Sequence, residues 1–214
     1  MKRTNLIFHE LRAHAPFTAV GTLAGIALLV GVVALRITEA TSHGLFAILH
    51  PLHVLLSAQA TIATFRRAGG AGFWRILAIG YFGGVAIGTV SDCLIPYLGE
   101  WLLNLPNPGF HIGFIEEWWL VNPAALVGIA LGAWSARTRV PHALHVWVST
   151  GASLFHVAMA MAGIPSAAVL AGIAVFLFLS VWLPCCTSDI VFPLLFAPNK
   201  DAVAGCGCGH DHHH

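Results

Sequence analysis

The sequence predicts an all-α polytopic membrane protein with six transmembrane helices, arranged as two inverted three-helix repeats. Hydrophobic residues make up 57% of the 214 residues and charged residues only 9%, whereas a soluble domain carries about 25% charged residues. Six apolar runs are long enough to cross about 30 Å of hydrocarbon as helices. The polar residues of the first half also recur, in the same order, in the second half.

This composition excludes several classes of protein. A soluble enzyme or a disordered protein would carry far more charge. The net charge of +1 provides no basic surface that could hold nucleic-acid phosphates. The lipid bilayer is therefore the first partner that the sequence predicts, and each charge left inside the spans is a candidate functional group.

The predicted spans follow one another with short polar connections. The first is a membrane span rather than a signal peptide, because about 19 apolar residues follow the polar segment Met1–Arg12 without a small-residue cleavage site. The six spans are Phe17–Leu35, Gly44–Phe65, Phe73–Leu98, Trp119–Trp134, His142–Ala162 and Pro165–Pro184, the last continuing over Cys185–Phe196. The chain then divides into a first repeat (1–98), an outer connecting loop (99–118), a second repeat (119–198) and a tail (199–214).

Lys and Arg residues predict the orientation, since cytoplasmic loops carry an excess of both. On one side lie Lys2, Arg3, Arg12, Arg66, Arg67, Arg75, Arg137, Arg139 and Lys200, and on the other only Arg36. Both termini are therefore expected in the cytoplasm, with the protein in the plasma (inner) membrane.

An internal repeat links the two halves. Its matched segments are His50-Pro-Leu-His-Val-Leu-Leu-Ser57 with His142-Ala-Leu-His-Val-Trp-Val-Ser149, Ser91-Asp-Cys-Leu-Ile-Pro96 with Ser188-Asp-Ile-Val-Phe-Pro193, and Gly25-Ile-Ala-Leu28 with Gly128-Ile-Ala-Leu131. Because each half has an odd number of spans, the second half is inverted relative to the first, as in many secondary transporters.

Each half supplies the same candidate metal ligands. The first set is Glu10, His50, His53 and Asp92, and the second is Glu117, His142, His145 and Asp189. Residues at i and i+3 share a helix face, so both imidazoles of each pair can turn toward one ion. Imidazole with carboxylate suits zinc, iron, nickel, cobalt or manganese. A single buried His or Asp is commonly a packing or capping residue, but packing does not require the same costly groups twice.

Proline adds a second feature near each Asp. Pro96 and Pro193 each follow an Asp by four residues, and a proline leaves the carbonyl four residues earlier without its helical donor. We therefore expect each helix to break there and to expose the carbonyl of Asp92 or Asp189 beside its carboxylate, as a cation ligand. An ordinary proline kink is the alternative.

Three further residues of the second half are candidate ligands. His156 lies about three helical turns after His145 on the same face and has no counterpart in the first half. Cys185 and Cys186 precede Asp189, and as thiolates they would favour zinc or copper. Small packing residues are the alternative for both cysteines.

The tail ends Gly205-Cys-Gly-Cys-Gly-His-Asp-His-His-His214. Tracts of this kind are typical of metal binding, and the candidate ligands are Cys206, Cys208, His210 and His212. In the cytoplasm its thiols stay reduced. The tail could therefore sense ions, or exchange them with a cytoplasmic metal donor or acceptor.

The layout resembles small six-span metal-ion transporters built as three-plus-three inverted repeats, a resemblance of architecture across nearly the whole chain. It implies a permease for divalent transition metal ions, with zinc expected first, at the interface of the two halves. Transport could be coupled to protons, because ligands shed protons when they bind metal. A homodimer is a further candidate assembly.

Three alternatives compete with transport. An intramembrane enzyme with one or two metals, acting on a lipid-like substrate, would use the same ligand supply. A b-type haem or quinone protein would need His pairs facing each other across different helices, whereas here each pair lies within one helix. A purely structural role is the remaining alternative.

Overall fold

The computed structural model describes residues 3–135 and 139–199, and within these ranges every regular element is a helix. We number the helices in chain order. They are α1 (Arg3–Ala34), α2 (Glu39–Arg67), α3 (Phe73–Leu102), α4 (Gly113–Glu116), α5 (Trp118–Trp134), α6 (Arg139–Met159) and α7 (Ala167–Phe196). The all-helical class predicted from the sequence is thus confirmed for the described residues.

Four of these helices are long and apolar enough to span a membrane, namely His14–Ala34 within α1, and α2, α3 and α7. Helix α5 is apolar but has 17 residues. Helix α6 has 21 residues and carries more polar side chains. The surface is correspondingly apolar, with Trp74 76% and Trp134 89% exposed. This pattern is that of an integral membrane protein, since soluble monomers rarely expose large apolar areas.

Local sequence signals account for the helix ends. Thr38 caps α2, its Oγ1 accepting a hydrogen bond from the Thr41 backbone N–H at 3.2 Å. Ser166 caps α7 in the same way. Arg66 and Arg67 occupy the last turn of α2, where a positive charge offsets the negative end of the helix dipole.

Helix α2 lies at the centre of the described structure and packs against both α5 and α6. Gly128 and Gly132 of α5 make this approach close. A Cβ at Gly128 would lie 2.1 Å from the Leu55 carbonyl oxygen, and one at Gly132 would lie 2.5 Å from that of Gln59. Small residues four apart are a common means of packing helices in membranes.

The helices around the two Asp residues are continuous, not broken as predicted. Helix α3 contains π-helical turns at Phe82–Ala86 and Val90–Leu94, and α7 contains one at Thr187–Val191. In a π-turn the hydrogen bond runs to the carbonyl five residues earlier, as from Ile95 N to Val90 O. In this register, Pro96 and Pro193 leave the carbonyls of Ser91 and Ser188, five residues earlier, without a helical donor. The exposed Asp carbonyls stay a prediction.

Loops define the two ends of the assembly. At one, which we call the long-loop end, segments 103–112 and 160–166 meet, and Asn107 N donates to Ala160 O at 3.1 Å. At the other, Arg75 Nη2 donates to Phe196 O at 2.8 Å and Asn199 N donates to Ala68 O at 3.0 Å. The predicted 99–118 connection is shorter than expected, because α3 continues to Leu102 and α4 lies within the connection.

Candidate metal centre in the helical core

The first His–Asp group lies between α2 and the second π-turn of α3. His50 and His53 lie one helical turn apart, and the Nδ1 atoms of both rings reach the same carboxylate oxygen, Oδ2 of Asp92, at 2.9 and 2.6 Å. Asp92 is fully buried and both rings nearly so. Because a carboxylate only accepts hydrogen bonds, each imidazole donates through Nδ1 and directs the lone pair of Nε2 elsewhere.

The second His–Asp group is formed by α6 and the π-turn of α7. His145 Nδ1 lies 2.9 Å from Asp189 Oδ2, and both residues are buried. His53 and Asp92 belong to the first half of the chain, and His145 and Asp189 hold the matching positions of the second half. The sequence repeat therefore corresponds to a repeat of the same contact.

The two groups meet face to face. The rings of His53 and His145 are stacked, with centroids 5.2 Å apart. Cys185 of α7 lies beside them, its Sγ 3.9 Å from His53 Nε2. One ligating atom from each of His53, His145 and Cys185 lies within 4.8 Å of the others. We refer to these three residues as the central group.

The central group fits a soft divalent metal ion. Zinc takes nitrogen at about 2.0–2.1 Å and sulfur at about 2.3 Å in a tetrahedron, which places neighbouring ligand atoms about 3.3–3.6 Å apart. The observed separations need only a small inward movement. Asp92 and Asp189 bind the far side of the imidazoles, the arrangement in which a carboxylate orients a metal-binding His. The two Asp are thus placed as orienting residues for the ligands, not as first ligands.

A network of serine hydroxyls surrounds the central group and repeats in the same way. Ser57 and Ser188 lie 2.7 Å apart, and Ser91 and Ser149 lie 2.8 Å apart. Ser149 also donates to Asp92 Oδ1 at 3.1 Å. Each hydroxyl pair joins one residue of the first half to one of the second.

The carbonyls that the prolines free have partners in this network. Thr61 Oγ1 donates to Ser188 O at 3.0 Å, and Ser153 Oγ donates to Ser91 O at 3.3 Å. Thr61 and Ser153 occupy matching positions, four residues after Ser57 and Ser149. At these two positions, the backbone carbonyl therefore still accepts a hydrogen bond, from a side-chain hydroxyl.

Several predicted ligands lie away from the central group. His156 is buried but its Nδ1 binds Glu100 Oε1 at 2.7 Å, and Gly109 N donates to the other oxygen of Glu100 at 3.1 Å. Cys186 is as buried as Cys185 but is not part of the central group. The side chains of Glu10 and His142, and the tail ligands Cys206, Cys208, His210 and His212, lie outside the described residues.

Glu117 lies at the long-loop end with its neighbour Glu116, and both approach histidines that the sequence did not single out. Its Oε1 is 3.5 Å from His43 Nε2, and His111 and Glu116 lie close by. Burial raises the pKa of Glu117, and the imidazole of His43 opposes that rise. Glu117 is not part of the central group, but its side chain approaches His50, since a Cβ at Gly113 would lie close to both residues.

Comparison with known proteins adds no family assignment. No family model, no curated protein and no solved structure matches this chain. Its function must therefore be inferred from the buried side chains themselves.

Proposed function

We propose that the chain is an integral membrane permease that moves divalent transition metal ions through the central group. The observation that carries this proposal is the meeting of two matched His–Asp pairs and Cys185 at a single buried point. Taking ionisable groups out of water is costly, and such groups inside a membrane protein commonly mark an ion pathway. Two imidazoles and a thiol select zinc first among the ions considered.

The proposal includes six spans in two inverted repeats. Helices α5 and α6 would complete the set of spans, which gives three spans to each half. The matched contacts support this arrangement, since His53 faces its counterpart His145. The two serine pairs are related in the same way, because each joins a His-motif serine of one half to a Ser-Asp serine of the other. A residue that faces its own counterpart lies next to a two-fold axis, and transporters of this type bind their cargo near such an axis.

In the proposed arrangement, the protein lies in the plasma (inner) membrane with both termini in the cytoplasm, the orientation that the excess of Lys and Arg favours. The long-loop end then faces outward. Transport would proceed as the halves rock around the central group and open it to each side in turn. Binding by Cys185 requires loss of its thiol proton, so metal movement would be coupled to proton movement.

An intramembrane metalloenzyme is the second candidate. Three protein ligands with an open fourth position are typical of catalytic zinc, and the central group offers three. Its substrate would be lipid-like. The two functions differ in a measurable way, because only the permease moves ions across a sealed membrane.

Zinc uptake into proteoliposomes tests the proposal, with an ion-sensitive dye inside the vesicles. We expect His53→Ala, His145→Ala and Cys185→Ser to reduce uptake at least about tenfold, since changes even to outer-shell partners cost about 10–100-fold in metal affinity. Cys186→Ser is the matched control, adjacent in sequence and equally buried, and should transport normally. Normal transport by both His variants would reject the proposal, as would equal loss in the two Cys variants. Tight zinc binding without uptake would favour the enzyme.

A further inference from the structure

A second group of metal-binding side chains lies at the long-loop end. His111 Nδ1 is 3.3 Å from Glu116 Oε2, and His43 Nε2 is 3.8 Å from the same oxygen. Ligating atoms of these three residues lie within 4.8 Å of one another. All three side chains are partly exposed, between 29% and 41%, so an ion from solution could reach them.

Glu117 gives an independent indication of a ligand. It is only 5% exposed, and its Oε1 is 3.5 Å from His43 Nε2. Its other oxygen, Oε2, is buried without a hydrogen-bond partner among the residues described by the structure. A buried carboxylate oxygen with no partner is costly, and a bound cation would remove that cost.

His50 connects this group to the core. Its Nδ1 binds Asp92, but its Nε2 is buried and has no partner within the described ranges 3–135 and 139–199. A Cβ at Gly113 would lie 3.0 Å from His50 Nε2 and 3.3 Å from Glu117 Oε2. The two partnerless atoms thus face the same position, which glycine keeps free of a side chain.

We propose that His43, His111, Glu116 and Glu117 form a second site for a divalent transition metal ion. It acts as a loading site, from which the ion passes His50 to the central group. His43, His50 and His53 follow one face of α2, and ten residues of helix separate the two sites by about 15 Å. Two imidazoles with carboxylates and no thiol suit zinc, cobalt, nickel or manganese. The loading role rests on the proposed permease function, whereas metal binding at this site does not.

Cobalt binding to the full-length chain in detergent tests the second site. The tail ligands Cys206, Cys208, His210 and the three final His are replaced by Ser or Ala, so that they do not contribute. Bound cobalt is counted by elemental analysis. A thiolate-to-cobalt charge-transfer band reports the central group alone, because the loading site contains no cysteine.

The loading site and the central group should respond to different variants. We expect His43→Ala with His111→Ala to remove one equivalent of cobalt and keep the charge-transfer band. Cys185→Ser should lose the band and keep that equivalent. Glu116→Gln should lower the affinity for the cobalt equivalent without a charge-transfer band at least about tenfold. Glu39 is an exposed acid at the same end of α2, and Glu39→Gln should leave that affinity unchanged.

Three results would overturn the loading site. The His43 and His111 variant could retain every equivalent with unchanged affinity, or Glu39→Gln could weaken binding as much as Glu116→Gln does. In vesicles, the His43 and His111 variant should raise the half-saturating zinc concentration more than it lowers the maximal rate, and an unchanged half-saturating concentration would also count against the site. Absence of the charge-transfer band in the parent chain would instead count against the proposed function. It would leave intact the test of the cobalt equivalent that gives no such band.

Discussion

Replacing Asp92 with Asn tests whether this carboxylate orients the metal ligands. Two imidazoles donate to its Oδ2, from His50 at 2.9 Å and from His53 at 2.6 Å, and Ser149 donates to Oδ1 at 3.1 Å. The substitution keeps the shape of the side chain and removes its charge. We expect metal affinity at the central group to fall while the helices remain folded.

The magnitude follows from the two possible orientations of the new amide. With its oxygen toward the imidazoles, the charge-assisted hydrogen bond from the ligand His53 becomes a neutral one. That bond loses about 1 kcal/mol, which corresponds to about fivefold in affinity when the whole loss falls on the metal-bound state. With its nitrogen toward His53, Nδ1 must accept, and the ring proton moves to Nε2, the atom that faces Cys185. Metal binding through that nitrogen is then blocked, and the loss is larger.

Cobalt titration of the tail-substituted, full-length chain measures this effect through the charge-transfer band. Asp189→Asn should weaken binding in the same direction, since Asp189 orients His145. Glu39→Gln is the control for loss of one carboxylate charge, and circular dichroism checks that helix content is retained. An Asp92→Asn protein that folds normally and binds cobalt within threefold of the parent would refute the orienting role.

Two further predictions concern packing. Gly128→Ala places a Cβ 2.1 Å from the Leu55 carbonyl oxygen, so α5 must move away from α2. We expect a loss of about 1–3 kcal/mol in the free energy of unfolding, measured by denaturant titration in detergent, whereas Gly44→Ala meets nothing within 4 Å and should cause no loss. Ser91 and Ser188 hold matching positions, and each hydroxyl bonds a serine of the other half, Ser149 and Ser57 respectively. Ser91→Ala and Ser188→Ala should each cost about 1–2 kcal/mol in the same assay. Markedly unequal losses would contradict the proposed equivalence of the halves.

The sequence predicted the all-helical class, and four of its six expected spans are long and apolar enough in the structure to cross a membrane. Histidines and aspartates that it singled out also lie in contact in the core. Apolar runs specify helices in a membrane because every backbone group must be satisfied internally. The spacing of His50 and His53 specifies a shared face, and the repeat showed that Asp92 and Asp189 belong with the histidines. The serines of the network were also visible, since Ser57 and Ser149 end the matched His motifs and Ser91 and Ser188 begin the matched Ser-Asp motifs, but a single Ser carries little signal.

The loading site and the π-turns could not be predicted in this way. His43 begins one helix, and His111 and Glu116 lie in a connection almost 70 residues later, so only the tertiary fold brings them together. Glu100 was assigned to an outer loop because it follows an apolar run, yet α3 continues past it and buries it against His156. Helical periodicity does not distinguish an α-turn from a π-turn, and in the π-turn the carbonyl opposite Pro96 is that of Ser91.

The distribution of strong and weak contacts is consistent with a rocking mechanism. Each described His–Asp pair lies within one half, His53 with Asp92 and His145 with Asp189. Near the central group, the polar contacts between the halves are made by serine and threonine hydroxyls, such as Ser57 with Ser188, and neutral hydrogen bonds contribute only about 0.5–1.5 kcal/mol each. Farther from it, α3 and α6 are also joined by the buried pair of Glu100 with His156. Under the proposed mechanism, the halves can exchange hydroxyl partners at low cost while each ligand keeps its orienting carboxylate. The metal ion would then link the halves at the central group itself, since it bridges a ligand of the first half to two ligands of the second.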